Sequence, residues 1–358
     1  MRTKLVYVLT CAPENSFIEQ AVLATFSARH FNPDAWIVLI VDDRTDSLIM
    51  RERRAVLDYI SEKIVVPFAA DKDMVFRSRW IKTSVRSLVK GEFLFVDCDT
   101  IAARSLESVD SFPCKIGAVP DSHLRLKDFG PSIMRATKKK VLSVGIDLEK
   151  EEYYFSSGVL YVKDCPEAYA LYDRWHSIWE EGVREGVNID QPSLAKANIE
   201  SGRLIERIPD GYNCVMYTQP DFARDAFILH FSAYRNPSWL FSKRLLRIVK
   251  EEGIRDWLSP CILNPCATYK PFCYTLSQTS LKGLIRHVSS IARMGRVYHD
   301  HVDPLFADMK DSSGWQLKAH RLFVKGFFRM AAFYCVVPEW ISFKLHPGRK
   351  PVANICSV

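Results

Sequence analysis

Short apolar runs alternate with stretches of helical periodicity in the N-terminal part of the chain, and this alternation limits the possible folds more than any other feature. The runs are almost entirely hydrophobic, which is typical of strands buried on both faces of a parallel sheet. The runs are Leu5–Thr10, Ala35–Val41, Lys63–Val66 and Phe93–Val96, and the predicted helices are Phe17–His30, Arg51–Ser61 and Asp73–Val89. The pattern predicts an α/β domain.

Two carboxylates follow the last of these runs, in the order Asp97-Cys98-Asp99. If the backbone stays extended through Asp99, both side chains point to the same side, because strand side chains alternate. Adjacent carboxylates repel each other unless a cation lies between them. A hard divalent ion that also binds a diphosphate fits this arrangement.

Polar residues also end the first two strands, with Thr10 after one and Asp42 and Asp43 after the other. Ligands of parallel α/β sheets bind at the carboxyl ends of the strands, so we predict that these three residues bind the same ligand as Asp97 and Asp99. The first strand is not followed by Gly-x-Gly-x-x-Gly, and the chain has no Gly-x-x-x-x-Gly-Lys-Ser/Thr. Dinucleotide and P-loop enzymes are therefore disfavoured.

Charge divides the 358-residue chain into two parts, which we predict to be a domain over 1–240 and a helical C-terminal region over 241–358. The second part has 18 Lys or Arg against 8 Asp or Glu, a balance of +10, whereas the first part has a balance of −3. A basic C-terminal region indicates an anionic partner, either a membrane or a nucleic acid.

The remaining composition indicates a cytoplasmic protein. The ten cysteines include no Cys-x-x-Cys pair and are expected to be reduced thiols. Leu5–Thr10 is too short for the apolar region of a signal peptide, and no apolar run is long enough to span a membrane.

Residues 122–152 are rich in Lys and Arg and only weakly periodic. We interpret them either as a mobile excursion over the ligand site, outside the core, or as a solvated insertion with no role. Strand character returns over Tyr153–Val162, and Cys165–Glu181 has the periodicity of an amphipathic helix.

Four further motifs follow the two aspartates in a fixed order: Phe155-Ser-Ser-Gly-Val-Leu-Tyr-Val162, Asn188-Ile-Asp-Gln-Pro192, Ile208-Pro-Asp-Gly-Tyr-Asn213 and Phe227-Ile-Leu-His-Phe231. As an ordered set they resemble the signature of GT-A glycosyltransferases, most closely the glycosyltransferase family 8-like enzymes that use UDP-sugars. The resemblance covers residues 4 to about 240 and implies a mixed, mainly parallel sheet flanked by helices.

The resemblance also implies roles for individual residues. Asp97, Asp99 and His230 would bind Mn²⁺ or Mg²⁺ on the donor diphosphate. Asp190 and Gln191 match the pair that contacts the transferred sugar in retaining members, and Ser157 precedes the glycine of its motif. The family usually follows the histidine with a Gly and then Lys-Pro-Trp. This chain has Phe231 after the histidine, and Arg235 is expected to contact the diphosphate in place of the lysine.

Basic residues precede the Asp97 strand. Arg79, Lys82 and Arg86 share one helical face, which is either a solvated basic face or a ligand contact. We predict that Arg79 and Lys82 hold the donor nucleotide. An inverting enzyme also needs a carboxylate base, for which Asp121 and Asp190 are the candidates.

The C-terminal region carries its clearest pattern over Trp315–Tyr334. Lys318, Arg321, Lys325 and Arg329 recur every three or four residues with apolar residues between them. This spacing is typical of a helix on an anionic lipid surface, and it also fits a helical cap that packs on the catalytic domain.

The sequence therefore predicts a metal-dependent glycosyltransferase that moves a sugar from a nucleotide-sugar co-substrate to a glycan or lipid-linked acceptor, as in surface polysaccharide synthesis. No nucleic-acid partner is expected. The enzyme would be cytoplasmic and peripheral on the inner face of the membrane. The alternatives are a sugar-nucleotide nucleotidyltransferase, disfavoured by the absence of a glycine-rich loop after the first strand, and a catalytically inactive binding protein with the same fold.

Overall fold

A computed structural model describes residues 1–129, 131–215, 226–231 and 243–263, together with Leu322, Gly326 and Met330. A seven-stranded sheet forms the centre, in the order β3-β2-β1-β4-β7-β6-β8. Its strands are β1 (Lys4–Leu9), β2 (Ile37–Asp42), β3 (Glu62–Val66), β4 (Phe93–Val96), β6 (Ile116–Pro120), β7 (Phe155–Val162) and β8 (Ile205–Arg207). Strand β7 runs antiparallel to β4 and β6, and the other pairs are parallel.

Helices cover both faces of this sheet. They are α1 (Phe17–Phe31), α2 (Asp43–Glu52), α3 (Met74–Thr83), α4 (Val85–Leu88), α5 (Pro131–Leu142), α6 (Pro166–Arg184), α7 (Asp190–Glu200), α8 (Lys243–Glu252) and α9 (Ser259–Leu263). Two large clusters of buried apolar side chains separate the helices from the sheet. The predicted α/β class, with a mainly parallel sheet flanked by helices, is confirmed.

A small second sheet joins the motifs at the site. Strand β10 (Ile228–His230) lies between β5 (Thr100–Ala102), to which it is antiparallel, and β9 (Cys214–Val215), to which it is parallel. Residue His230 is opposite Thr100 in this register. Because β5 follows closely after the aspartates, the pairing brings the histidine to the end of β4 although the two are far apart in sequence.

Two predicted segments differ from the structure. The helix predicted over Arg51–Ser61 begins earlier, at Asp43, because the side chain of Asp42 caps α2 by accepting from the Thr45 amide. The chain then continues as a 3₁₀ helix over Arg54–Tyr59. Residues 122–152 are not an excursion outside a core, since they contain α5 and a small apolar cluster of their own.

The packed unit extends past the predicted boundary at residue 240. Leu245, Leu246 and Val249 of α8 and Ile262 of α9 are buried in the same cluster as residues of β1 and α1. These four side chains therefore pack in the same core as the N-terminal strand and helix. Within the described part of the chain, no helix has both the length and the apolar character needed to cross a membrane.

Candidate active site

Three potential metal ligands meet at the carboxyl end of β4. Asp97, Asp99 and His230 each offer a ligand atom, and these atoms lie within 4.8 Å of one another. The His230 Nε2 is 3.1 Å from Asp99 Oδ1. The backbone bends after Val96 and is not extended through Asp99. The two carboxylates nevertheless meet, because the bend and the pairing of β10 with β5 bring all three side chains together.

The backbone around Asp97 is fixed by β7. The Asp97 amide donates to the Gly158 carbonyl at 2.9 Å, and the Thr100 hydroxyl donates to the Asp97 carbonyl at 2.8 Å. A Cβ atom on Gly158 would lie 2.5 Å from His230 Cε1 and 3.0 Å from Asp97 Oδ2. The glycine of the Ser157-Gly158 pair is therefore required here for space beside two of the potential ligands.

A buried network of charges adjoins the potential ligands. The Lys82 ammonium is 3.1 Å from Asp97 Oδ1 and 3.1 Å from Asp190 Oδ2. Arg79 Nε lies 3.0 Å from Asp190 Oδ1. The Lys82 side chain is 5% exposed and that of Asp190 is 8% exposed, whereas Arg79 is 35% exposed. Lys82 thus bridges two carboxylates inside the protein, and Arg79 extends the network towards solvent.

These contacts set the ionisation of the network. Burial opposes a negative charge on Asp190, but Lys82 and Arg79 outweigh it and hold the pKa of Asp190 far below its usual range. Burial opposes a positive charge on Lys82, but Asp190 and Asp97 raise the pKa of Lys82 above its usual value. Burial raises the pKa of Asp97 despite the nearby Lys82. Asp190 and Lys82 therefore both carry their charges at neutral pH.

The sugar-contact pair predicted from the resemblance lies beside this network. Asp190 is the first residue of α7, where its carboxylate accepts from the Ser157 hydroxyl at 2.8 Å and its carbonyl accepts from the Trp175 indole at 2.9 Å. The Gln191 amide donates to Asp121 Oδ2 at 3.3 Å and to the Phe155 carbonyl at 3.0 Å. Four predicted site residues thus lie together. Asp190 contacts Ser157, and the adjacent Gln191 contacts Asp121.

The residues at the ends of β1 and β2 have different positions. Asp42 is fully buried, with one carboxylate oxygen capping α2 and the other paired with Arg77, so both of its oxygens have partners within the protein. Its ligand contact stays a prediction. Thr10 is buried and its hydroxyl donates to the Met74 carbonyl at 3.3 Å. Asp43 is half-buried in the first turn of α2. Ligand contacts by Thr10 and Asp43 remain predictions.

Two of the predicted features fall outside the described part of the chain. Arg235 lies outside the described residues, as does the segment Trp315–Tyr334 except for Leu322, Gly326 and Met330, which are helical and exposed. Asn213 received no predicted role, although its amide contacts His230 and Ser156. Its position at the end of the third motif was the signal in the sequence.

The solved structures to which the chain is similar include two glycosyltransferases. A crystal structure of the galactosyltransferase LgtC with donor and acceptor sugar analogues has a TM-score of 0.45 and 13% identity, and the match covers 66% of this chain and 89% of that chain. The glycosyltransferase GlyE of Streptococcus pneumoniae TIGR4 has a TM-score of 0.42 and 16% identity, with coverages of 74% and 63%.

No protein-family model and no curated protein matches the chain. Similarities to solved structures at these identities and TM-scores establish neither a family nor an activity. The function proposed below therefore rests on the residues of the site.

Proposed function

We propose that this protein is a metal-dependent GT-A glycosyltransferase that moves a sugar from a nucleotide-diphosphate donor, most simply a UDP-sugar, to a glycan or lipid-linked acceptor. One observation supports this more than any other. The potential ligands Asp97, Asp99 and His230 share Asp97 with the charge network of Lys82, Asp190 and Arg79 at the carboxyl end of β4. A cation site and a sugar-orienting carboxylate are thus joined through one lysine.

The chemistry of the donor set fits Mn²⁺ or Mg²⁺. Two carboxylates supply the oxygen ligands that hard divalent ions prefer, and the imidazole adds a nitrogen ligand that suits Mn²⁺ better than Mg²⁺. The lack of a Cβ atom at Gly158 allows His230 and Asp97 to lie against this backbone, which supports such a site. When bound, the ion would neutralise charge on the departing diphosphate.

The protein's own cations would complete that neutralisation. Lys82 is held by Asp97 and Asp190, and Arg79 is held by Asp190, so both charges are in place before a substrate arrives. Preorganised charges of this kind stabilise a developing anion without reorganisation during the reaction. We assign Lys82 and Arg79 to the diphosphate of the donor.

Asp190 and Gln191 would orient the transferred sugar. Because Lys82 and Arg79 hold the pKa of Asp190 well below its usual range, Asp190 is a weak base, and an orienting and electrostatic role fits it better than proton abstraction. Asp121, which accepts from the Gln191 side-chain amide, is then the remaining candidate base for an inverting reaction.

The first prediction tests the function directly. In a thermal-shift screen of nucleotide sugars, we expect one UDP-sugar with Mn²⁺ to raise the melting temperature, because a ligand that binds the folded state stabilises it. The same donor with a chelator should give a smaller shift. Equal shifts with Mn²⁺ and with chelator for every donor would contradict metal-dependent binding.

Product analysis separates the alternatives. A nucleotidyltransferase would make a sugar nucleotide from a nucleoside triphosphate and a sugar phosphate, whereas the proposed enzyme releases UDP from the donor. An inactive binding protein would bind the donor but release no UDP with any acceptor.

The second prediction concerns membrane attachment, which we propose for residues 315–334. Each Lys or Arg near an anionic surface contributes roughly 1 kcal/mol, and the segment places four of them among apolar residues. The full chain should therefore sediment with anionic liposomes at low salt and remain in the supernatant at high salt, since salt screens these charges.

Neutral liposomes are the control for this experiment. Protein that stays in the supernatant with anionic vesicles at low salt would show that the segment does not bind membrane. In the competing cap model, removal of residues 315–358 lowers the melting temperature of the catalytic domain.

A further inference from the structure

A side-chain amide lies against the ring nitrogen of His230 that faces away from the carboxylates. His230 Nε2 faces Asp99, at 3.1 Å, and His230 Nδ1 lies 2.9 Å from Asn213 Oδ1. Both side chains are buried. The imidazole is therefore held at both nitrogens, by a potential co-ligand on one side and by Asn213 on the other.

Asn213 is itself held firmly. It is fully buried at the end of a 3₁₀ helix over Asp210–Asn213, directly before β9, which pairs with β10. Its Nδ2 donates to the Ser156 hydroxyl at 3.0 Å. This contact directs its Oδ1 towards His230, because the two atoms are on opposite branches of one planar amide.

A second histidine fixes the backbone of Asn213. His123 Nε2 is 2.8 Å from the Asn213 carbonyl, and since a carbonyl oxygen can only accept, Nε2 carries a proton and donates it. Ser122 and His123 have φ values of 59° and 56°, a left-handed conformation that is costly for residues other than glycine. This turn directly follows Asp121, so one strained segment contacts both Gln191 and Asn213.

Metal binding through His230 Nε2 would require a proton on His230 Nδ1, the nitrogen that contacts Asn213. An imidazole that binds a metal through Nε2 must carry its ring proton on Nδ1, and a buried N–H without an acceptor is unfavourable. Asn213 Oδ1 is placed to accept that proton. We propose that Asn213 is a positioning residue that fixes the tautomer and orientation of His230. This inference depends on the metal site of the proposed function.

Three variants of the full chain test this proposal. Asn213→Leu removes the acceptor at similar size, whereas Asn213→Asp keeps an acceptor for the Nδ1 proton. Asn198→Leu is the matched control, because Asn198 is also buried and its Oδ1 accepts from the Ile205 amide at 2.8 Å, outside the site. Melting temperatures show how much stability each substitution removes.

The measurement is Mn²⁺ affinity, from the electron paramagnetic resonance signal of the free ion, with and without UDP. Loss of an outer-shell partner typically weakens metal binding about 10- to 100-fold, which is the increase in Kd that we expect for Asn213→Leu. Asn213→Asp and Asn198→Leu should bind Mn²⁺ nearly as the natural chain does. Electron spin-echo measurements should detect imidazole nitrogen coupled to Mn²⁺ in the natural chain and in Asn213→Asp, and a reduced coupling in Asn213→Leu.

The outcomes separate the two proposals. A natural chain that binds no Mn²⁺, even with UDP, overturns the metal site and with it the role of Asn213. A natural chain that binds Mn²⁺ together with an Asn213→Leu variant of equal affinity overturns the role of Asn213 alone. An Asn213→Asp variant that is as weak as Asn213→Leu also overturns it, because the amide would then act through packing and not as an acceptor.

Discussion

Replacement of Asp97 or Asp99 by alanine should abolish the Mn²⁺-dependent part of UDP binding and leave the protein folded. Each carboxylate supplies an oxygen to a group of three ligands, so either substitution leaves two. Neither substitution removes a side chain from the two large apolar clusters.

Calorimetric titration with UDP, in the presence of Mn²⁺ and of a chelator, measures this effect. In each mutant the two affinities should become equal. Asp99→Ala is the cleaner variant, because Asp97 also pairs with Lys82 and its loss changes the charge network. Asp128→Ala, which removes an exposed carboxylate paired with Arg125, is the control for the loss of an acid. A mutant that keeps the natural gain in UDP affinity with Mn²⁺ would refute the metal site.

The sheet could be predicted because its signal is local. The runs that became β1, β2 and β4 are almost entirely apolar, and the burial of these central strands produces that pattern directly. Strand β3 lies at the edge of the sheet and is only partly buried. The potential metal ligands were predicted on two grounds: Asp97 and Asp99 from the two carboxylates that follow an apolar run, and His230 from the order of motifs along the chain. Proximity of His230 to the aspartates depends on the pairing of β10 with β5, and nothing in either segment alone specifies that pairing.

The parts that were missed depend on contacts between distant residues. Lys82 was predicted to hold the donor nucleotide, but the sequence did not show that its side chain is buried between Asp97 and Asp190. Asp42 is an acid at the end of a strand, like Asp97, but its carboxylate pairs with Arg77 and accepts from the Thr45 amide in the first turn of α2. Asp42 and Asp97 therefore received the same prediction from similar local sequence, although they have different partners in the folded chain.

The weak periodicity of residues 122–152 also led us to miss packed structure. Two residues in the left-handed conformation interrupt the backbone after β6, and short 3₁₀ turns precede α5. A segment built in this way has no long helical or strand period, although Leu126, Phe129 and Val141 are buried together. Periodicity therefore underestimates packed structure where the elements are short.

Replacement of Asp190 by asparagine should lower turnover by a factor of about a hundred or more, with UDP affinity nearly unchanged. Asparagine keeps the size of the side chain and an oxygen for the Ser157 hydroxyl, but it removes the charge that holds Lys82 and Arg79. The potential ligands Asp97, Asp99 and His230 are not altered and Lys82 keeps its contact with Asp97, so the metal and the diphosphate should still bind. The loss is therefore expected in the chemical step.

Turnover would be measured as UDP release with the donor found by the thermal-shift screen, and UDP affinity by calorimetry. Asp128→Asn is the matched control, since it neutralises an exposed acid that pairs with Arg125 and should leave both quantities unchanged. If Asp190→Asn retained most of its turnover, the contacts of Asp190 with Lys82 and Arg79 would be structural. If it lost UDP affinity in proportion to turnover, Asp190 would serve to hold Lys82 for donor binding and not to stabilise the reacting sugar, because a residue that acts only in the chemical step leaves ground-state binding intact.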